Sequence, residues 1–400
     1  MPTPSERARR VFRNVLNMKL VAGGRVRVCA GKVAVGLVVG VTLLAGCARF
    51  DDSASSPFTP EPDWQDADLK TSQPQESPSE RARPDLPCVD PDPAVVVSCL
   101  DTTGGLVTLS DGVSALVGER TTGRILKVEA TSEGVPPDPI EVTRVDVDPT
   151  GDGGLTSLVL SPSFSEDGLL YAYVTTGSDN RVVRISTQGG GEAKPILTGI
   201  PKGANGNRGS IDFHTPNRMV VLTGDAGNPS AAADNGSLAG KLLAVNSPAP
   251  GAAAEIMLAG IGVAGGVCSD HAESIWITDR TATEDRLQRV GPDGVATKAW
   301  SWPDHPGVAG CVAASDGVAI ALTNQKALAI AEADKGTHAI TAAPTLLSQD
   351  KYGQLDAAAL GGDGTIWVTT VNKTGGQPNE YDDRVVRIPP PSGGPGNGPD

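Results

Sequence analysis

Eleven polar side chains recur at one kind of place in this 400-residue chain: Glu119, Arg120, Asp152, Asn207, Arg208, Asp225, Asp279, Arg280, Asn324, Lys326 and Asn372. Each stands beside a short apolar run, as Glu119 ends ALVGE, Asp225 ends MVVLTGD and Asp279 ends SIWITD. Guanidinium, carboxylate and amide groups at matching points of successive runs can converge on one ligand. The bland alternative is that any strand end reaching solvent is polar. Asp279, Glu284 and Asp285 offer the hard oxygen donors that calcium takes, or else the acidic surface of a loop. His214, His271, His305 and His338 are scattered without an i, i+4 pair, which argues against a histidine-based metal site.

The elements that must position these groups are strands. The stretch GDGGLTSLVLSPSFSEDGLLYAYVTTGSDNRVVRI, residues 151–185, holds three apolar runs cut by Ser-Pro, Glu-Asp-Gly and Gly-Ser-Asp-Asn. Short runs rich in Leu, Val and Tyr between turn residues read as antiparallel strands. The same phrase returns near the C-terminus, and RVVRI recurs at Arg181–Ile185 and Arg384–Ile388. Six units follow one another: 105–148, 151–201, 207–262, 264–307, 308–353 and 354–389. Each opens with a small-residue strand, continues with a strongly apolar one, and adds a third after a polar loop. Units of this size predict an all-β, six-bladed β-propeller; a seventh blade would require splitting the third unit. In such a blade the first strand leaves one face of the disk and the second returns to it. The polar positions above therefore predict one binding face around the channel mouth.

Composition agrees with this plan. Forty-nine glycines and 32 prolines suit many tight turns. Residues 1–46 carry eight Lys/Arg against one Glu, leaving 25 basic against 46 acidic side chains in the remainder. So acidic a body would repel nucleic acid, which is excluded as a partner. Residues 1–32 are basic, and Val33–Leu44 is an apolar run too short to span a bilayer. It ends in Leu44-Ala45-Gly46-Cys47, which resembles the bacterial lipobox, in which the cysteine is lipidated. Residues 1–46 are thus expected to be a secretory signal, with an uncleaved membrane anchor as the alternative and Met18 as a second possible start. Residues 47–87 read as a disordered Pro/Ser/acidic tether, 88–390 as the propeller and 391–400 as a disordered tail.

Cys88, Cys99, Cys268 and Cys311 remain after the signal and the lipidated cysteine. Four cysteines in an exported protein imply disulfides, with three possible pairings. Cys88 and Cys99 suit a local bridge. Cys268 and Cys311 lie at equivalent points on the first strands of adjacent blades, so their pairing is the economical one. Val95–Val97, beside Cys99, is the expected outer strand of the last blade.

ERTTGRILKV (Glu119–Val128), GDGGLTSLVLSPSF (Gly151–Phe164), LTGDAG (Leu222–Gly227), SLAGKLLAVN (Ser237–Asn246) and the Trp302-Pro303 pair resemble the soluble glucose/sorbosone dehydrogenases. With its lipobox and tether, the whole chain resembles an actinobacterial lipoprotein. The resemblance implies a six-bladed propeller using pyrroloquinoline quinone (PQQ) and calcium to oxidise a sugar. It also places that family's His-x-x-Gly base at Gly206, where this chain has Gly206-Asn207-Arg208-Gly209. The family's Arg-Asn-Pro loop falls on Gly262-Val263-Ala264, and its Arg-x-Arg on Gly353-Gln354-Leu355. Gly206 cannot take a proton, and the cations expected for a tricarboxylate quinone are missing. Lys326 and Arg280 are the substitutes at hand.

The expectation is therefore an extracytoplasmic, lipid-anchored, monomeric propeller. It binds a small molecule such as a carbohydrate, or an envelope protein, on its channel face without a cofactor. The alternative is a PQQ- and calcium-dependent sugar dehydrogenase with a rearranged pocket. Changing Cys47 to Ala should leave an unprocessed precursor without lipid, read by mass spectrometry of the N-terminal peptide; an unmodified N-terminus on the wild-type chain would contradict the anchor.

Overall fold

The computed structural model describes residues 88–390 apart from 133, 189–191 and 272–273. The signal, Cys47, the tether and the C-terminal tail lie outside the described residues. The described chain forms six four-stranded antiparallel sheets arranged in a ring, a six-bladed β-propeller. The blades span residues 103–144, 155–200, 209–259, 263–302, 308–347 and 355–388, and they match the six sequence units. In sequence order each blade runs from the axis outward. The innermost strands are Thr103–Thr108, Leu155–Leu160, Gly209–Thr215, Val263–Ser269, Val308–Ala314 and Leu355–Leu360.

The core lies between blades. The second strand of blade two, Leu169–Thr175, is buried on both faces, and its Tyr171 and Tyr173 pack on Phe213, Met219 and Val221 of blade three. Five more apolar clusters fill the other interfaces between neighbouring blades. Burial on both faces is why these second strands read as continuous apolar runs rather than alternating ones. Near the axis the constraint reverses, because six strands converge there. A Cβ on Gly105 would stand 2.4 Å from the Leu158 amide, and one on Gly310 would stand 2.6 Å from the Asp356 carbonyl. Hydroxyls of small residues then link neighbouring inner strands. Thr156 donates to the Gly209 carbonyl at 2.9 Å, and Ser210 accepts from the Val267 amide at 3.1 Å.

The ring is closed by the N-terminal segment. Val95–Val97 pairs antiparallel with Val385–Ile388 and becomes the fourth strand of blade six, as the sequence reading expected. Cys88–Cys99 and Cys268–Cys311 are both bridged, the second joining the inner strands of blades four and five. Arg384 secures the closure from within: 5% exposed, it donates to Asp90 at 2.9 Å, to Asp382 at 2.9 Å and to the Tyr352 carbonyl at 3.1 Å. Tyr352 in turn donates to Asp92 at 3.1 Å. In the first copy of RVVRI the matching Arg181 instead pairs with Asp179 at a partly exposed edge.

Beside this junction Asp383 is fully buried. Its Oδ1 accepts from the Asn372 amide at 2.7 Å, while Oδ2 has no partner. Burial pushes its carboxyl up to about 7, against the pull of the Asn372 and Lys373 amides. A raised folded-state value means that the folded chain holds a proton which the unfolded chain has lost. This contribution is present at low pH and fades as pH rises from about 4 to about 7. Asp383→Asn should flatten that slope in urea titrations across the window; an unchanged slope would contradict a protonated Asp383.

Two predictions concern closure. Deleting residues 88–99 should abolish cooperative unfolding of the propeller, because it removes the fourth strand and one disulfide together. Replacing Cys268 and Cys311 by Ser should lower stability by roughly 2–4 kcal/mol. Both are read by denaturant unfolding.

Candidate functional site

The channel mouth that the sequence predicted is built from the beginnings of first strands and the ends of second strands, yet most of its polar groups are braces. Glu119 is buried and accepts from the Asp101 amide at 3.1 Å, from Thr122 Oγ1 at 2.6 Å and from Arg124 at 3.3 Å. Asp152 accepts from the Gly206 and Asn207 amides at 2.9 and 3.0 Å. Asn207, fully buried, closes its own loop through the Gly203 amide and carbonyl. Asp225 accepts from the Gly227 amide at 2.8 Å. Asn372 joins Gln354, Tyr352 and Asp382. Asn324 and Lys326 are exposed, and Asn324 donates to the His305 carbonyl at 3.0 Å.

The three carboxylates considered for calcium do not converge. Asp279 is held by Arg286 at 2.5 Å, by Gln288 and by the Gly262 amide. Asp285 accepts from the Gly307 and Val308 amides and faces His305 at 3.1 Å, while Glu284 pairs with Lys298 at 3.1 Å. Among the described residues no group of three His, Cys, Asp or Glu side chains is arranged to hold a metal ion. The physical reason is that each acid already neutralises a local cation or caps local amides.

What the fold does bring together is a set of arginines at the axis. Arg208, just before the inner strand of blade three, pairs with Asp356 in the inner strand of blade six. Blades three and six face each other across the ring, so this ion pair crosses the channel. Arg120, at the end of the second strand of blade one, is buried and donates to the Gly153 carbonyl at 2.5 Å. Arg280 ends the second strand of blade four, opposite blade one, and its Nε is buried without a partner. Burial and the Arg208 charge both lower Arg120 and Arg280 from the usual guanidinium range. Burial pulls on Arg208 too, but Asp356 and Asp152 hold it above that range.

The ion pair caps a channel cavity of about 270 Å³ lined by Leu106, Thr156, Ser157, Ile211, Asp212, Ser269 and their neighbours on the six inner strands. Toward the far ends of those strands lies a second polar group that sequence reasoning missed. Asp212 accepts from the Ser269 amide at 2.8 Å, and Ser269 Oγ meets His214 Nδ1 at 2.9 Å. Burial raises the Asp212 carboxyl to about 6. Asp356 was also missed. Its signal was available: it is the one carboxylate in LDAAAL, an inner strand of otherwise uncharged residues.

Three glycines decide what chemistry this mouth can do. Gly206, where the resemblance places a basic histidine, has φ of +73°, and a Cβ there would lie 2.6 Å from Asp225 Oδ1 and from the Gly227 amide nitrogen. At Gly262 a Cβ would stand 2.1 Å from the Arg280 carbonyl. At Gly353, with φ of +79°, it would stand 2.2 Å from Asn372 Oδ1. These are the positions where the resemblance places the base and the first arginine of each cofactor-binding motif. The surrounding backbone and polar side chains have closed over all three.

Comparison with known proteins places the fold among sugar dehydrogenases. Residues 100–256 match the family model for glucose / sorbosone dehydrogenase. The structure is similar to an aldose sugar dehydrogenase from Streptomyces coelicolor solved in its PQQ-bound form, with 26% identity and a TM-score of 0.64 over 73% of this chain and 95% of that one. A putative oxidoreductase (glucose dehydrogenase) from Thermus thermophilus shares 24% identity, with a TM-score of 0.61 over 73% and 98%. The soluble aldose sugar dehydrogenase of Escherichia coli, in its apo form, shares the fold at 17% identity and a TM-score of 0.59 over 74% and 99%. No curated protein matches at the sequence level. The chain thus carries a glucose/sorbosone dehydrogenase-like propeller.

Placing a histidine at residue 206 should be destabilising rather than restorative. Left-handed backbone disfavours a β-carbon by about 1–2 kcal/mol, and overpacking adds roughly 1–3 kcal/mol. Urea unfolding of Gly206→His should show a loss of at least about 2 kcal/mol; wild-type stability would mean that the loop is free to open.

Proposed function

We propose that this chain is an exported, lipid-anchored propeller that binds a small molecule at its channel axis without quinone chemistry. The observation that carries this reading is the closure of the loops over Gly206, Gly262 and Gly353. A base must lie within hydrogen-bond reach of the proton it removes, and residue 206 has no side chain and no room for one. Asp152 is a poor replacement, since both its oxygens accept backbone amides. Asp225 has one oxygen held by the Gly227 amide and is almost wholly buried. The quinone does not fit the positions from which the resemblance would hold it.

The export and lipid-anchor parts rest on the basic N-terminal region, the apolar run and Leu44–Cys47. The likeness to an actinobacterial lipoprotein supports the same placement outside the cytoplasmic membrane, with the propeller acting as a monomer. Rigid strand ends around a channel are a place where a scaffold presents binding groups, and the cavity capped by Arg208 and Asp356 suits a small ligand rather than a large one.

A second reading, a PQQ- and calcium-dependent sugar dehydrogenase with a rearranged pocket, draws its support from the Streptomyces enzyme's 26% identity over nearly its whole length. One experiment separates the two. Purified full-length chain is given PQQ, calcium, an aldose and an artificial electron acceptor. The expected outcome is no saturable turnover, since loss of the base alone costs on the order of 10²–10⁴ in rate. Turnover that disappears in Asp152→Asn or Asp225→Asn would overturn the proposal in favour of the dehydrogenase.

A further inference from the structure

Two of the three axial arginines, Arg120 and Arg280, have no carboxylate in contact with them among the described residues. Arg208 is matched by Asp356. Among the described residues Arg120 donates only to the Gly151 and Gly153 carbonyls, at 3.4 and 2.5 Å. The Arg280 guanidinium has no hydrogen bond or ion pair with any described residue, and the Nε atoms of both Arg208 and Arg280 are buried without a partner. Asp152, the other carboxylate whose field reaches all three arginines, spends both oxygens on backbone amides. Asp285 also acts on Arg280, which brings three carboxylates to the three guanidinium groups. What the arrangement lacks is contact, since among the described residues no carboxylate touches Arg120 or Arg280, and burial weighs on all three arginines.

A largely buried cation with no anion in contact is costly, because it loses solvation by water and nothing replaces it. Proteins retain such an arrangement where a ligand supplies the missing anion, and the planar guanidinium fork matches a carboxylate in shape as well as sign. The three arginines come from blades one, three and four, which makes the site a product of ring closure rather than of one loop. None occupies the glycine positions discussed above, so this charge is not a remnant of those motifs.

We propose that Arg120, Arg208 and Arg280 form a binding site for a small carboxylate anion at the channel axis. The proposal rests on the channel-ligand reading above and adds its chemical class: the ligand carries a carboxylate that can contact the guanidinium groups directly. Arg280 supplies an uncommitted fork, Arg208 supplies the face it turns to the cavity, and Arg120, at the end of the second strand of blade one, is held in place by the Gly151 and Gly153 carbonyls of the loop before blade two. A neutral sugar offers hydroxyls but cannot form an ion pair with a guanidinium fork, so a sugar acid is preferred over the corresponding aldose.

The test uses the full-length chain in detergent and two probes of the same carbon skeleton, D-gluconate and D-glucose, measured by titration calorimetry at low salt and at about 0.5 M salt. Gluconate is expected to bind one to one, at least about tenfold more tightly than glucose, and to weaken as salt rises. Arg280→Gln should reduce gluconate affinity by about tenfold or more, the range of a charged hydrogen bond. The same variant without ligand should melt no lower than the wild type, because it removes a cation that no described protein group contacts. For Arg208, the double variant Arg208→Gln with Asp356→Asn avoids stranding a buried carboxylate and should also lose gluconate.

Equal binding of glucose and gluconate, indifferent to Arg280→Gln, would overturn the anion assignment while leaving a channel ligand in place. Binding of neither probe would overturn it as well, and the broader reading is then judged by the quinone assay alone. A lower melting temperature of ligand-free Arg280→Gln would show that Arg280 already has its counter-charge, and would overturn the proposal on that ground.

Discussion

Everything in this propeller depends on one short pairing, Val95–Val97 against Val385–Ile388. A ring of blades is held by lateral packing between neighbours, so a single open junction would expose two apolar sheet faces at once. Here the last blade takes its fourth strand from the start of the folded chain. That arrangement joins segments far apart in the chain, and Arg384 reinforces it by donating to Asp90 across a sequence separation of 294. The buried arginine is matched by Asp90 and Asp382 and capped by the Tyr352 carbonyl, so its desolvation is compensated by geometry. The disulfide between Cys88 and Cys99 then keeps the entering chain folded back on this junction.

Closure has consequences at the axis. Once six inner strands are drawn into a ring, their close approach at the mouth demands glycine at positions such as Gly105 and Gly310, while leucine, isoleucine and threonine line the cavity beyond. The charged side chains that reach the mouth are arginines and aspartates on or beside those strands. Arg208 and Asp356 meet only because blades three and six face each other across the ring. Arg120 and Arg280 come from blades one and four, the other opposed pair that matters. The electrostatic character of the channel is thus a property of the ring, which no single blade possesses.

The same closeness sets the space at the mouth of this propeller. Residues 100–256 match the family model, and the solved relatives share the propeller fold. That likeness does not carry reactivity, because reactivity resides in a few side chains at strand ends. At Gly206, Gly262 and Gly353 those side chains are absent, and neighbouring backbone and polar atoms occupy the space they would need. Loss of the groups and closure of the loops reinforce each other: a residue without a Cβ lets the chain approach, and the closer chain then excludes any larger residue.

The sequence by itself determined the architecture, since a repeated unit with one small strand and one doubly buried strand has few ways to bury both. The six blade limits, the two disulfides and the closing strand were all legible from turn residues, apolar runs and cysteine spacing. The polar positions were also legible as positions: Glu119, Asp152, Asn207, Asp279 and Asn372 do stand at strand ends. Their roles were not. Whether a carboxylate braces a loop or faces a ligand depends on which amides and cations lie within about 3 Å, and those partners sit on other strands or other blades. Asp279 is consumed by Arg286, Gln288 and the Gly262 amide, whereas Asp356, the lone charge among the small residues of its strand, reaches across the axis to Arg208. Local pattern encodes which strands form and which face is buried; only the closed ring decides which charges meet.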